Sequence, residues 1–446
     1  MSQNFREINN KVIKYFTIYF VITFLFFLLG PIHWLENEYI TDILFYFLIG
    51  AYFIAFYLGG VRTKKIGLKL EQSSYYIDHS EKVLKYLKYS IYINLVLTIL
   101  NALQYSYTTS LTQLFNKTLE AFSNPALVYY DKLKQMQDSS GTSLITLVTV
   151  FLSPVQFTTQ YLSLYYLKKL PLIQKIVVIF TLLIEAFRWL SIGTNKGLFD
   201  IAFLVGSVFL VKILRTKYFR IYKVDIKTRR RNRRMFWFVV ILVILALSFF
   251  SYTMSSRVTA SVDDLFQEFP YSLTPEFMRV LIARADRYIT QGYHHMRLIL
   301  HYCDWTPLFG IGNSRYLISI VERITGLDIM ALTYPGKLES VGIGVDAYAN
   351  WHTAFVWFAN DLSFIGVILL MYGVGRLFSK LLFESVTGEN PISMTLLYMV
   401  ICGLINISCT NYTLAFSNMC MGFWGLFLIR AITKHTHIAL GGKQLF

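Results

Sequence analysis

Acidic residues are scarce in this chain: 26 Asp and Glu face 42 Lys and Arg. Charge of either sign makes up only 15% of the 446 residues, against roughly 25% in an ordinary soluble domain. Cysteine is almost missing as well, with Cys303, Cys402, Cys409 and Cys420 the whole set. Three of these fall in or beside apolar runs and only Cys303 lies in a long polar stretch, so no intramolecular disulfide framework is implied there. There is no repeat of fixed period, no low-complexity tail and no charge-rich linker that would mark off a soluble domain. A Walker loop, a nucleophile elbow and the paired carboxylates of a glycosidase are also absent.

What fills the chain instead is apolar sequence, 55% of residues, with 17% aromatic. A membrane-spanning helix needs about 20 mostly apolar residues. Runs of that kind recur near 15–35, 40–60, 90–107, 144–167, 175–192, 197–214, 236–253, 354–378, 392–410 and 414–433. The expectation is an all-α polytopic membrane protein of about ten spans, with residues 1–446 forming one integral membrane domain. No small-residue cleavage site follows the first run, where Gly30-Pro31-Ile32-His33-Trp34 stands, so that run is expected to be a retained anchor.

The net charge of +16 is unevenly spread. With the N-terminus inside, most Lys and Arg fall in segments that face the cytoplasm, including Arg229-Arg230-Arg231-Asn232-Arg233-Arg234. That asymmetry is the positive-inside pattern, and the arginine run suits anionic lipid headgroups. It argues against nucleic acid as a partner. Both termini are expected on the cytoplasmic side, and the long polar interruption 254–353 on the opposite side, as a partly helical external loop.

That loop concentrates the chemistry. Thr274-Pro275-Glu276 reads as a helix start, and Arg284 and Arg287, three apart, share a face of that helix. A second helix is expected over 293–302, with His294, Arg297 and His301 on one side. A third begins with Ser314 as N-cap and stops at Gly326, with Ile320, Val321 and Ile324 as its apolar stripe. It follows the turn Gly310-Ile311-Gly312-Asn313, so its N-terminus, together with Arg315, offers a phosphate site.

Three stretches carry a family resemblance. They are Arg287-Tyr288-Ile289-Thr290-Gln291-Gly292-Tyr293, Pro307-Leu308-Phe309-Gly310-Ile311-Gly312-Asn313-Ser314-Arg315, and Trp351-His352-Thr353 leading to Ala359-Asn360-Asp361-Leu362-Ser363-Phe364-Ile365-Gly366. With the layout of spans and one dominant late loop, the chain resembles the Wzy-type O-antigen polymerases. The resemblance implies a fold similar to C-class membrane glycosyltransferases and a place in the bacterial inner membrane. It implies joining of undecaprenyl-diphosphate-linked oligosaccharide repeat units on the periplasmic face. A hydroxyl of the acceptor attacks the anomeric carbon of the donor, and undecaprenyl diphosphate leaves. It also implies a separate polysaccharide co-polymerase that sets chain length. An O-antigen ligase and a lipid-linked oligosaccharide flippase or transporter are the alternatives. The family's basic residue at a short middle outer turn corresponds here to Lys196 in Gly193-Thr194-Asn195-Lys196-Gly197, which keeps the charge of an arginine without its bidentate fork.

The chemistry needs cations for the diphosphate and a base for the hydroxyl. Arg287, Arg315 and Lys196 are the first candidates for the diphosphate, followed by Arg284 and Arg188. A structural pair with Glu185 also accounts for Arg188. His352 and His294 are the candidate bases, and Asp361, Tyr293 and Asn313 the supporting residues. Asp361 is expected to position a basic ligand-binding side chain. His294, His295 and His301 lack a matching Cys or acid at metal-ligand spacing, so neither a metal nor another cofactor is expected.

Overall fold

The computed structural model describes residues 3–32, 34, 39–62, 80–128, 130–131, 144–219, 233–234, 237, 240–241, 244–250, 252–253 and 276–439. The expected helix start at Thr274-Pro275 and most of the arginine run lie outside these residues, as does much of the expected span 236–253.

The described residues are helical and contain no strand. In chain order, the first helices are α1 (Gln3–Leu29), α2 (Asp42–Val61), α3 (Ser80–Tyr105), α4 (Leu111–Ser123) and α5 (Leu144–Phe151). Then follow α6 (Ser153–Tyr165), α7 (Leu172–Leu190), α8 (Lys196–Phe219), α9 (Glu276–Tyr302) and α10 (Arg315–Thr325). The last are α11 (Tyr334–Ser340), α12 (Ala354–Gly388), α13 (Pro391–Ile405), α14 (Tyr412–Ala415) and α15 (Ser417–Ala439). Within the described residues, five segments are long and apolar enough to cross a bilayer: Phe5–Leu29, Asp42–Val61, Glu81–Tyr105, Lys196–Phe219 and Ala354–Gly388. The protein is therefore a helical membrane protein. The expected span 144–167 is two helices, broken at Leu152 ahead of Pro154, which occupies the first turn of α6. Proline lacks the N–H that would continue the ladder from α5.

Two compact units make up the chain, one of Met1–Tyr75, Ser261–Glu384 and Met399–Cys420, the other of Tyr76–Ala260, Ser385–Tyr398 and Met421–Phe446. In the first, α1 packs on α2 through aromatic edges, with Phe20 against Phe56 at 5.1 Å between centroids. The helix α2 meets α12 where neither carries a side chain. A Cβ on Gly59 would lie 2.0 Å from the Tyr372 carbonyl oxygen, and one on Gly375 would lie 2.2 Å from that of Phe56. Small residues at such crossings let two backbones approach within the bilayer. Asn9 and Ser379 both donate to the Gly60 carbonyl, at 3.0 and 2.9 Å, and tie α1, α2 and α12 at one level.

The long helix α12 is kinked. Ser363 sits at φ +59°, ψ 164°, outside helical geometry. The break frees the Asn360 carbonyl from its own helix, and Leu308 N–H (3.1 Å) and Trp305 Nε1 (3.3 Å) donate to it instead.

In the second unit α3 packs against α6 and α7. Arg215 and Glu389 form a buried ion pair at 3.0 Å, to which the Tyr165 hydroxyl donates at 2.8 Å. Arg215 also donates to the Val386 and Thr387 carbonyls, at 3.0 and 3.4 Å. A buried pair holds only when its other lone pairs and protons are satisfied in this way.

Candidate functional site: the two faces of one long helix

The two helices expected over 276–302 are one continuous helix, α9. Nothing between Arg287 and Tyr293 breaks it, because Gly292 keeps helical backbone and is there for proximity. A Cβ at Gly292 would lie 2.1 Å from the Ser408 carbonyl oxygen and 2.9 Å from the Thr353 nitrogen.

At 100° per residue the polar side chains of α9 divide into two stripes. Asp286, Thr290, Tyr293, His294, Arg297 and His301 form one, and it grips the connector between α1 and α2. Asp286 accepts from Ile32 N–H at 3.1 Å and Thr290 from Trp34 Nε1 at 2.7 Å. The Tyr293 hydroxyl meets that of Thr23 at 3.0 Å. Arg297 makes a fork onto Asp42, 2.6 Å from Nε to Oδ1 and 2.8 Å on the second arm, with Tyr39 under the guanidinium. His294 stacks on Trp34 and His301 on Tyr39, at 4.6 and 4.2 Å. This stripe therefore anchors the connector. Tyr293, expected as a supporting residue, is fully buried against Phe24 and Phe27 and presents no ring to a sugar.

The other stripe is Arg284, Arg287, Tyr288, Gln291 and His295. Its lower half lies on the segment that enters α12. Tyr288 meets Trp351 edge to face at 5.0 Å, and His295 Nδ1 is 2.7 Å from the Trp351 carbonyl oxygen. The ring of His352 sits 4.8 Å from that of His295. The upper half carries the arginines. Arg284 is buried, yet its Nε and one terminal nitrogen have no partner. Among the described residues, no carboxylate pairs with Arg284 or Arg287.

The electrostatics follow. Burial, then the neighbouring Arg287, makes Arg284 easier to deprotonate than a free guanidinium. Burial pushes His295 down to about 4, with Arg287 adding to the effect. His352 is held well below the usual range by burial, then by His295 and Arg315, and both of its ring nitrogens lack a partner. His294 falls to about 3 through burial, then His295 and Arg297. Both candidate bases are thus neutral at pH 7. His352 has no exposed surface, whereas His294 is partly exposed. Among the described residues this row of cations and neutral imidazoles has no counter-acid, an arrangement whose electrostatics favour an anion.

The glycine turn departs from expectation. Ser314 caps α10 as expected, accepting from Leu317 N–H at 3.3 Å, and Gly326 ends it at φ +70°. The buried apolar residue of α10 is Ile318, however, and Ile324 is exposed. The backbone donors of the turn are already taken. Asp361 accepts from Gly310 N–H (2.8 Å), Gly312 N–H (3.0 Å) and Asn313 Nδ2 (2.7 Å). Its carboxylate occupies the place expected for phosphate, and it holds the turn and Asn313 rather than a basic side chain. Asn360 completes the latch, accepting from Tyr334 N–H and donating to the Gly312 carbonyl, each at 2.8 Å. Arg315 points elsewhere. It donates to the Ala347 and Tyr348 carbonyls at 3.0 and 3.2 Å and lies over Trp357, with Nε unpartnered.

Arg188 and Lys196 belong to the second unit, and both are neutralised. Arg188 forks onto Glu185, and Lys196 bonds Asp200 at 2.5 Å. Trp189 lies under both cations and donates to Glu185 at 3.0 Å. The structural pair anticipated for Arg188 is present.

Sequence reasoning missed Asp286. It is buried and Oδ1 has no partner, and burial lifts its carboxyl to about 7. Asn360 and Asp42 were also missed. Asp286 had one available sign, a lone acid between two arginines, but burial is not written in that pattern. Among the described residues no group of His, Cys, Asp and Glu is arranged to hold a metal ion. The chain matches no protein-family model, no curated protein and no solved structure.

Proposed function

We propose that this chain is a membrane glycosyltransferase of the O-antigen polymerase kind, about ten-spanning, with undecaprenyl-diphosphate-linked repeat units as both donor and acceptor. The observation that carries the reading is the arginine stripe of α9, with unpartnered nitrogens on Arg284 and, among the described residues, no carboxylate paired with Arg287. A diphosphate leaving group brings the negative charge that such a stripe lacks. Cations fixed beforehand by a rigid helix stabilise charge as it develops, without reorganising at the moment of reaction.

In this reading Arg287 and Arg284 hold the donor diphosphate. The acceptor hydroxyl loses its proton to a neutral imidazole, for which His294 on α9 is more accessible than His352 ahead of α12. Arg315 positions the 346–350 segment that leads into Trp351 and His352. Arg188 and Lys196, each already paired, are charge-neutral supports of the second unit.

The test is polymerisation of a purified lipid-linked repeat unit by the full chain in proteoliposomes, read as a glycan ladder. Arg287→Ala is expected to lower the rate by about 100-fold or more, with Arg287→Lys intermediate because the ammonium keeps charge but not the fork. Transfer of single units to a lipid A-core acceptor without a ladder would make the protein a ligase. Movement of the intact lipid-linked unit across the bilayer without bond formation would make it a transporter.

A further inference from the structure

The helix α3 has its polarity reversed relative to a soluble helix. Tyr89, Tyr92, Ile93, Val96 and Leu100 are exposed, while Ser90, Asn94, Thr98 and Asn101 are at least nine-tenths buried. The four polar residues follow at i, i+4, i+8 and i+11, a single stripe turned towards the neighbouring helices α6 and α7 of its unit. Three of them present a buried oxygen with no hydrogen-bond partner, Asn94 Oδ1, Thr98 Oγ1 and Asn101 Oδ1, while Ser90 has the Tyr86 hydroxyl beside it.

Other hydroxyls in the same bundle behave differently. Thr181 donates to the Val177 carbonyl, Thr149 to that of Thr146 and Ser163 to that of Gln160. Each returns its proton to its own helix. The α3 oxygens do not, although Thr98 has the Asn94 carbonyl one turn behind it. An unsatisfied buried oxygen costs about 1–3 kcal/mol, and inside a bilayer polar side chains of this kind mark routes for polar species.

We propose that the inner face of α3 binds a single file of water. The spacing fits that occupant. Successive oxygens are about one helical turn apart, roughly 5.4 Å, which is close to two water hydrogen bonds of about 2.8 Å end to end. One water bridges each step. A metal cation fits less well, because it needs several oxygens converging on one point, and these lie in a line. The file covers about 10 Å, seven residues at 1.5 Å each, or about a third of the hydrocarbon core. Its Asn101 end is one turn from Tyr105, whose ring lies 5.3 Å from the Arg188 guanidinium. The file thus ends one turn short of the tyrosine that faces Arg188. This inference is independent of the proposed transferase reaction.

The experiment is water-edited solid-state NMR of the full chain, labelled with ¹⁵N-asparagine in lipid bilayers. Asn94→Leu and Asn101→Leu assign the side-chain signals by removing them. The amides of Asn94 and Asn101 are expected to gain polarisation from water several times faster than that of Asn360, which is equally buried but fully hydrogen-bonded within the protein. Build-up as slow as that of Asn360 overturns the proposal. Thermal unfolding of Thr98→Val, which keeps the side-chain shape, gives a second readout. A bridged oxygen makes the variant less stable than the parent, and a melting temperature raised by several degrees means that the oxygen was dry and overturns the proposal.

Discussion

Asp286 is one residue whose protonation bears on the stability of the cap. Burial raises its carboxyl from the ordinary value to about 7, so the folded protein binds a proton there that the unfolded chain releases near pH 4. Stability from this group is complete below pH 4, falls as pH rises from about 4 to about 7, and is level above that. The full span is on the order of 4 kcal/mol. Asp286→Asn keeps an oxygen for Ile32 N–H and removes the proton, so its melting temperature is expected to lose that part of the slope. Equal slopes in parent and variant across pH 4 to 7 would exclude Asp286 as the source. Arg297 makes the complementary case. Its side chain is buried to 2% exposure and its fork closes on Asp42, so Arg297→Ala strands a partly buried carboxylate. A loss of about 3–5 kcal/mol is expected, read as a lower folded yield and melting temperature.

At the scale of the element, α9 joins two tasks by periodicity alone. The sequence made its polar content visible, and it placed Arg284 and Arg287 on a common face. It did not show that His294, Arg297 and His301 turn towards the connector, because their partners Trp34, Tyr39 and Asp42 are some 250 residues earlier. The cap and stop of α10 were legible, since Ser314 and Gly326 act on their own neighbours. The filling of the glycine turn was not, since Asp361 comes from another helix. Local chemistry can be read from local sequence, and pairings across the fold cannot. Two outcomes test these elements. Gly292→Ala puts a methyl group against the Ser408 carbonyl and is expected to destabilise the first unit by more than the few tenths of a kcal/mol usual for surface changes. Asp361→Ala is expected to speed amide exchange at Gly310 and Gly312, with the α12 amides unchanged.

For the whole molecule, the excess of Lys and Arg in alternate connectors sets the expected orientation. Reporter fusions or cysteine-accessibility tags at residues 66, 223 and 443 are expected to report the cytoplasm, and a tag at 342 the other side. A tag at 342 that reports the cytoplasm would place the arginine stripe away from any periplasmic donor and end the proposed function. The helical membrane character was legible from composition, because apolar runs of span length have few alternatives in water. The broken span at Leu152 and the kink at Ser363 were not, although Pro154 stood in the sequence as a warning for the first.

The occupied glycine turn has a consequence for competition. A carboxylate tethered beside its donors acts at an effective concentration that a short intramolecular link commonly sets at millimolar or more. A phosphate arriving at Gly310 and Gly312 must displace Asp361 before it gains a single bond. The chain carries its own competitive ligand for that turn, and an anionic lipid or free phosphate binds there only in competition with it.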